Sequence, residues 1–253
     1  MKPEQDLRIA DGVAEKEKKF FSYLEIFFSK GLDLNSSIVE VNKKYEFERR
    51  YRELNIEFVK IPEKNYSVMK TEVTQKLYKS ITGKNPSSFI GENNPVENVR
   101  WYDAIEFCNA LSEYLGYESV YTRAGNSVNQ NVNANGFRLP TVEEWQYAAI
   151  GGQNYRYAGS DNLDSVGWYN DNSGEKTHAV ALKKPNGYGL YDMSGNVCEW
   201  CWDSFGYDSY YRYLCGGCWY DHEDDCKVGS KYYYSADNSR YYMGFRIVRS
   251  TGK

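Results

Sequence analysis

Four cysteines near the C-terminal end carry the spacing of a metal site. Cys198 and Cys201 form one C-x-x-C pair, Cys215 and Cys218 form a second, and 13 residues lie between the pairs. Two such pairs at this separation are near the pattern of a zinc ribbon, in which four thiolates surround a tetrahedral ion. A lone C-x-x-C can instead work as a redox couple. That chemistry needs a helix N-terminus or a cation to lower a thiol pKa, and no helix start is expected beside Cys198. Of the other two thiols, Cys226 follows the second pair, and Cys108 falls at helical spacing with Ile105, Leu111 and Leu115, which marks it as buried core. Histidine chemistry has little material: there are two, His178 and His222, and spacing places no serine or carboxylate partner beside either.

The same region is rich in tyrosine. Ten of the 25 tyrosines lie between Tyr207 and Tyr242, interleaved with Asp221, His222, Asp224, Asp225, Ser230, Ser235 and Ser239 and almost no aliphatic residues. Tyrosine offers a large, rigid, amphipathic contact area at small entropic cost, and short polar neighbours add adaptable hydrogen bonds; this composition is that of a binding surface. The alternative is a set of half-buried strands, because aromatic residues favour sheets. In the run Tyr232-Tyr233-Tyr234 at least one ring must point outward on any strand, since side chains alternate faces.

The elements that position these residues divide the chain in two. Residues 1–56 are expected to be a helical appendage: Phe20, Leu24, Phe27 and Phe28 keep to one face, Gly31 stops the first helix, and a second starts at Asn35 or Ser36 and carries Ile38, Val41, Tyr45, Phe47, Tyr51 and Leu54. That apolar stripe is expected to dock on the main domain. From residue 57 to 253 the pattern predicts short strands at Phe58–Pro62, Tyr66–Met69 and Glu72–Gln75, then a helix from Trp101 that ends at Gly116. An exposed loop is expected over 124–136. Thr141 and Glu144 form a capping box for a further helix that runs to Gly151, and strands and loops follow to the end.

Composition narrows the partners. A net charge of −4, from 31 basic and 35 acidic residues, leaves no basic footprint for nucleic acid. There is no apolar run long enough for a membrane span. The first residues lack the apolar core of a signal peptide, so an exported form would be targeted by a segment outside this sequence. Six cysteines, clustered as they are, do not make a disulfide scaffold and leave the compartment open.

Four motifs carry a family resemblance. They are Asn94-Pro95-Val96-Glu97-Asn98-Val99-Arg100-Trp101-Tyr102-Asp103-Ala104 with Phe107-Cys108; Gly136-Phe137-Arg138-Leu139-Pro140-Thr141-Val142-Glu143-Glu144-Trp145; Tyr188-Gly189-Leu190-Tyr191-Asp192-Met193-Ser194-Gly195-Asn196-Val197-Cys198-Glu199-Trp200; and Gly216-Gly217-Cys218-Trp219 with Gly244-Phe245-Arg246. In this order they resemble the signatures of the formylglycine-generating enzyme (sulfatase-modifying factor) family. The resemblance implies an α+β, loop-rich fold of the C-type-lectin type, with residues 1–56 outside it. Enzymes of that family use two cysteines after the last Gly-Gly. Aligned from Gly216-Gly217, those positions are Asp221 and Cys226 here, and a carboxylate is neither a redox thiolate nor a ligand for soft copper. The expectation is therefore no catalysis and no cofactor, with Cys226 structural.

Within the family the chain resembles most the variable proteins of diversity-generating retroelements, those of treponemes in particular. Their C-terminal segment, about 207–248 here, is diversified at template adenines, so that an AAC codon becomes any codon ending in C. Tyr213, Cys215, Cys218, Tyr220, Asp221, His222, Asp224, Asp225, Gly229, Ser230, Tyr232, Tyr233, Tyr234, Ser235, Ser239, Tyr241 and Tyr242 all fit that rule and are the candidate ligand-binding residues. Trp219, Glu223, Lys227, Lys231 and Met243 do not fit it and are expected to be framework. The implied role is display of a tyrosine-rich face to a protein or glycan ligand outside the cell, on a lipid-anchored, cell-surface protein. Two readings from other classes stay open: an oxidase acting on a peptide cysteine through Cys226 and a second, unidentified ligand, and a zinc-stabilised module. The ribbon is weakened because Cys198 stands where relatives carry Trp, Cys218 where they carry Ser, and Cys215 at a diversified position. Some relatives bind calcium, which would here use Glu199 with the carbonyls of Ser194, Gly195 and Val197; the alternative is a buried carboxylate that organises the loop.

Overall fold

The computed structural model describes residues 18–27, 29–206 and 210–250. The helical pattern read for residues 12–17, Phe28, and Tyr207 at the head of the tyrosine stretch fall outside the described residues. The chain separates into two compact units, 1–55 and 56–253.

The first unit holds α1, residues 18–27, and α2, Leu34–Leu54. Asp33 opens α2 by accepting from the Ser36 backbone N–H, so the helix starts slightly earlier than Asn35, and Asn55 closes it at φ 50°. The two helices meet through aromatic rings, with Phe20 stacked on Tyr45 at 6.3 Å and Tyr23 edge-on to Tyr45 at 5.8 Å. Lys19 and Tyr23 both donate to Glu48. Leu24 and Val41 are buried.

The second unit is built on two four-stranded sheets. Strands β1 (Phe58–Lys60), β2 (Tyr66–Met69), β10 (Val248–Ser250) and β5 (Phe137–Arg138) lie in that order and are antiparallel. The C-terminal strand thus sits between β2 and β5 and closes the sheet. The second sheet runs β8 (Lys231–Ser235), β7 (Tyr211–Cys215), β6 (Cys198–Ser204), β9 (Met243–Gly244), with β9 parallel to β6. Three helices pack on this frame: α3 (Gln75–Thr82), α4 (Trp101–Tyr114) and α5 (Val142–Ile150). Beyond α5 the helical segments among the described residues are 3-10 turns at Leu163–Ser165 and Glu223–Cys226.

Two local expectations are corrected. Gln75 begins a helix instead of ending a strand, because the Thr74 hydroxyl accepts from the Leu77 N–H and Gly83, at φ 74°, closes the turn. The element is too short for periodicity to reveal it. Residues 124–130 of the polar stretch expected as a loop belong to a hairpin, β3 (Tyr121–Ala124) with β4 (Ser127–Gln130), turned at Gly125, while 131–136 is a loop as expected. Most of the hairpin's side chains are exposed, so no apolar alternation marks it in the sequence. The capping box of α5 forms as read: Thr141 accepts from Glu144 N–H at 3.1 Å, and the Glu144 carboxylate accepts from Thr141 N–H at 2.9 Å.

The core is aromatic. Trp101, Trp145, Trp200, Phe107, Phe137 and Phe245 are fully buried. Trp101 Nε1 donates to the Cys201 carbonyl and Trp200 Nε1 to that of Val99, each at 2.9 Å, which ties α4 to β6 and satisfies both indole N–H groups.

Candidate functional site

Beneath the tyrosine-rich segment lies a buried polar centre. Glu199 on β6 and Arg246 just after β9 are both 0% exposed. Arg246 Nε and Nη2 donate to the two Glu199 oxygens at 2.6 and 2.7 Å, and Trp145 Nε1 adds a third hydrogen bond at 2.7 Å. With both oxygens engaged by a guanidinium, Glu199 is a buried, hydrogen-bonded carboxylate that ties β6 to α5 and to the segment after β9. Close by, Glu72 accepts from Asn196 Nδ2 at 2.7 Å and from Val197 N–H at 3.0 Å, and burial together with Asp192 and Glu199 holds its pKa well above the carboxylate range. Burial likewise lifts Asp192 to about 6. Gly195 is required in this loop: at φ 87° a Cβ would stand 2.2 Å from the Trp168 carbonyl oxygen.

The four spaced cysteines do not form one site. Cys201 and Cys215 have their sulfurs 3.7 Å apart within the core that α5 covers. Cys198 and Cys218 gather instead with Asp221, the three ligand atoms all within 4.8 Å of one another. Positions 198 and 201 are an odd number of residues apart on β6 and so point to opposite faces, which overturns the ribbon expectation. Cys226 is buried among Tyr157, Leu163, Val166 and Tyr169, and burial drives its thiol far above the ordinary value, a poor start for a thiolate nucleophile. Asp221, half-buried, accepts from Cys218 N–H at 3.0 Å and faces the Cys198 sulfur at 3.6 Å; burial raises its pKa. His178 stacks on Trp168 at 3.8 Å with Nε2 2.6 Å from the Ser173 carbonyl, where it is held by backbone rather than poised for catalysis.

The pairing of β7 with β8 divides the tyrosine run between two surfaces. Tyr213 pairs with Tyr233, whereas Arg212 pairs with Tyr234 and Leu214 with Tyr232. On one side, Tyr233 stacks on Phe205 at 3.7 Å and meets Tyr211 edge-on at 6.0 Å. This side borders a groove of about 550 Å³ between α5 and the sheet, lined by Glu143, Gln146, Tyr147, Asp203, Tyr213 and Lys231. On the other side, the Tyr232 hydroxyl donates to Asp225, Tyr234 and Tyr242 share a hydroxyl contact at 3.3 Å, and Tyr242 stacks on Tyr220 at 5.9 Å. Tyr241 leans on Trp219 at 5.6 Å. Three separate segments, 219–225, 232–235 and 239–242, thereby converge on one aromatic patch.

The candidate residues differ in exposure. Tyr220 is 54% exposed, Tyr233 48% and Tyr241 42%. His222, Asp224 and Gly229 are exposed, and Tyr213, Asp225, Ser230, Tyr232, Tyr234, Ser235, Ser239 and Tyr242 are half-buried. Cys215 and Cys218 are 0% exposed and cannot touch a surface ligand, so these two leave the candidate set. Trp219 and Met243 are buried, but Glu223 and Lys231 of the expected framework reach the surface. Tyr211, within the tyrosine stretch, joins the aromatic surface, and so does Phe205, which sequence reasoning did not place there; Phe205 lies just past β6, ahead of the variable segment, where nothing but its aromatic type marks it.

A loop-rich α+β frame of this topology, pinned by a buried Glu–Arg centre and carrying aromatic loops at its surface, is a C-type-lectin-like domain. Residues 40–251 match the sulfatase-modifying factor enzyme 1-like domain, and the chain belongs to that family. The matched span begins within α2 rather than at residue 57. A protein of Paenibacillus barcinonensis named chaperone protein LppX is 38% identical over 74% of this chain and 80% of its own length. The formylglycine-generating enzyme of Streptomyces coelicolor is 31% identical over 62% of this chain and 52% of that protein. Among solved structures, Treponema denticola variable protein 1 superposes with a TM-score of 0.70 at 33% identity, over 77% of this chain and 92% of that one. No helix among the described residues is long and apolar enough to cross a membrane.

Proposed function

We propose that this chain is a non-catalytic display protein that binds a ligand through a diversified, tyrosine-rich face. The observation that carries the reading is the convergence of codon-compatible residues from three chain segments on one aromatic patch, above a buried frame that includes Trp219 and Met243. Rigid tyrosines with short acidic and hydroxyl neighbours are suited to recognition by packing and adaptable hydrogen bonds. The likeness to a variable protein supports the same role. The Paenibacillus relative is named a chaperone protein, and that name favours protein over glycan as the ligand. Cell-surface placement through a lipid anchor belongs to this proposal.

An oxidase role finds less support. Asp221 stands at the first of the two positions where the family's enzymes carry cysteine, and Cys226 at the second is buried with a raised pKa. The deciding experiment is deep sequencing of the coding region for residues 207–253 across many isolates. Changes confined to codons ending in C at the candidate positions, with Trp219 and Gly244 constant, are the expected result. A uniform sequence, or changes that ignore the codon rule, would remove diversification from the proposal.

A further inference from the structure

We propose that Cys198, Cys218 and Asp221 form a zinc site set into the base of the aromatic patch. This set differs from the two C-x-x-C pairs, which the strand geometry separates, and shares only Asp221 with the positions that align with the enzymes' cysteines.

The geometry is close to what the ion requires. Zn–S bonds of about 2.3 Å and Zn–O bonds of about 2.0 Å at tetrahedral angles put sulfur about 3.5 Å from oxygen. Cys198 Sγ lies 3.6 Å from Asp221 Oδ2, and all three donor atoms fall within 4.8 Å of one another. The donors come from two parts of the chain, Cys198 on β6 and the Cys218–Asp221 turn, and each part is fixed by backbone hydrogen bonds. Cys198 N–H bonds to the Tyr242 carbonyl at 2.8 Å, Asp221 N–H to the Cys218 carbonyl at 3.0 Å, and Asn170 N–H to the Asp221 carbonyl at 3.0 Å. Cys218 N–H donates to the prospective ligand oxygen of Asp221, the kind of outer-shell bond that orients a metal-binding carboxylate. Such a site is set before the ion arrives and loses little conformational freedom on binding.

The donor set selects the ion. Two thiolates and one carboxylate carry three negative charges and mix sulfur with oxygen, which suits borderline zinc; calcium and magnesium want oxygen alone, and copper(I) is drawn to sites of sulfur only. Three protein donors are the number found where zinc keeps a position for an outside ligand. The ion would enter past Asp221, which is half-buried between exposed Tyr220 and exposed His222. Cys201 and Cys215, buried with no third donor near them among the described residues, supply an internal control. Cys218 and Asp221 also obey the codon rule; if the diversification reading holds, the site is private to this sequence variant. The metal test does not depend on that reading.

The test titrates the full chain, reduced and freed of metal by a chelator, with Co²⁺ and then Zn²⁺. The expected result is one Co²⁺ per chain, with thiolate-to-cobalt charge-transfer absorption that Zn²⁺ abolishes. Cys218→Ser and Asp221→Asn should each weaken binding by at least about tenfold, and Cys201→Ser should leave it unchanged. Asp221→Asn preserves shape and an acceptor for the Cys218 N–H, so it remains informative if Cys218→Ser misfolds; melting curves check both. Absence of charge-transfer absorption in the reduced protein, loss of binding in Cys201→Ser, or undiminished affinity in Asp221→Asn would each overturn the assignment.

Discussion

Arg246→Met tests whether the buried Glu–Arg centre is what fixes the frame. The substitution keeps approximate volume and removes the only cation among the hydrogen-bond partners of Glu199, which then retains Trp145 Nε1 alone. It also strips a donor from the Tyr191 carbonyl, bonded at 2.8 Å. Removing one partner of a fully buried, hydrogen-bonded pair costs about 3–5 kcal/mol, since a charge is left in low dielectric without compensation. For a chain of this size, about 2–4 °C is lost per kcal/mol, so the melting temperature should fall by about 6–20 °C. Against a typical total of about 5–15 kcal/mol, that is a large share of the stability. Urea unfolding followed by near-ultraviolet circular dichroism measures the loss directly, and Glu199→Gln combined with Arg246→Met should recover part of it. A loss below about 1 kcal/mol, the range of an exposed ion pair, would refute the argument that this pair holds α5, β6 and β9 together.

The patch should behave in the opposite way: Tyr220→Ala and Tyr241→Ala, at rings 54% and 42% exposed, should each cost less than about 1.5 kcal/mol in the same unfolding assay while abolishing capture of a genuine ligand. Gly195→Ala should destabilise by about 1–3 kcal/mol, because its Cβ would meet the Trp168 carbonyl at 2.2 Å and its φ is 87°; a neutral result would show that the loop relaxes freely. Glu97 gives a pH signature. Burial raises its pKa to about 7, despite hydrogen bonds from Ser88 and Phe89 N–H at 2.5 and 2.8 Å that pull it down. The folded state then binds more protons than the unfolded one between the usual value of 4.5 and about 7. Its contribution to stability is therefore greatest below that window, declines as pH rises through it, and levels off above. Glu97→Gln keeps the accepting oxygen and should flatten this part of the melting-temperature profile; an unchanged profile would remove Glu97 as its source.

The fold was readable from sequence because its signals are local or carried by whole motifs. The Thr141 and Glu144 capping box lies within a single turn, the helical spacing of Ile105, Cys108 and Leu111 marks a buried face, and the four motifs in order define the family. Where a signal was brief or hidden, the reading failed. Helix α3 is shorter than its periodicity needs, and the β3–β4 hairpin buries too little for alternation to show.

What the sequence determined by itself was which residue types are available and in what order: tyrosines and short polar residues crowded before Gly-Phe-Arg, six thiols, and an aspartate, Asp221, shortly after Gly216-Gly217. Tertiary structure alone decided which of them meet. Strand alternation and register lie outside anything C-x-x-C spacing encodes, so Cys198 left Cys201 for Cys218 and Asp221, and Tyr233 left Tyr232 and Tyr234 for Phe205. Nothing beside Glu199 in the sequence announces Arg246, 47 residues away, which folding brings onto both of its oxygens. The physical reason is the same in each case: side-chain direction is set by the backbone's pairing partner, and that partner is distant in the chain.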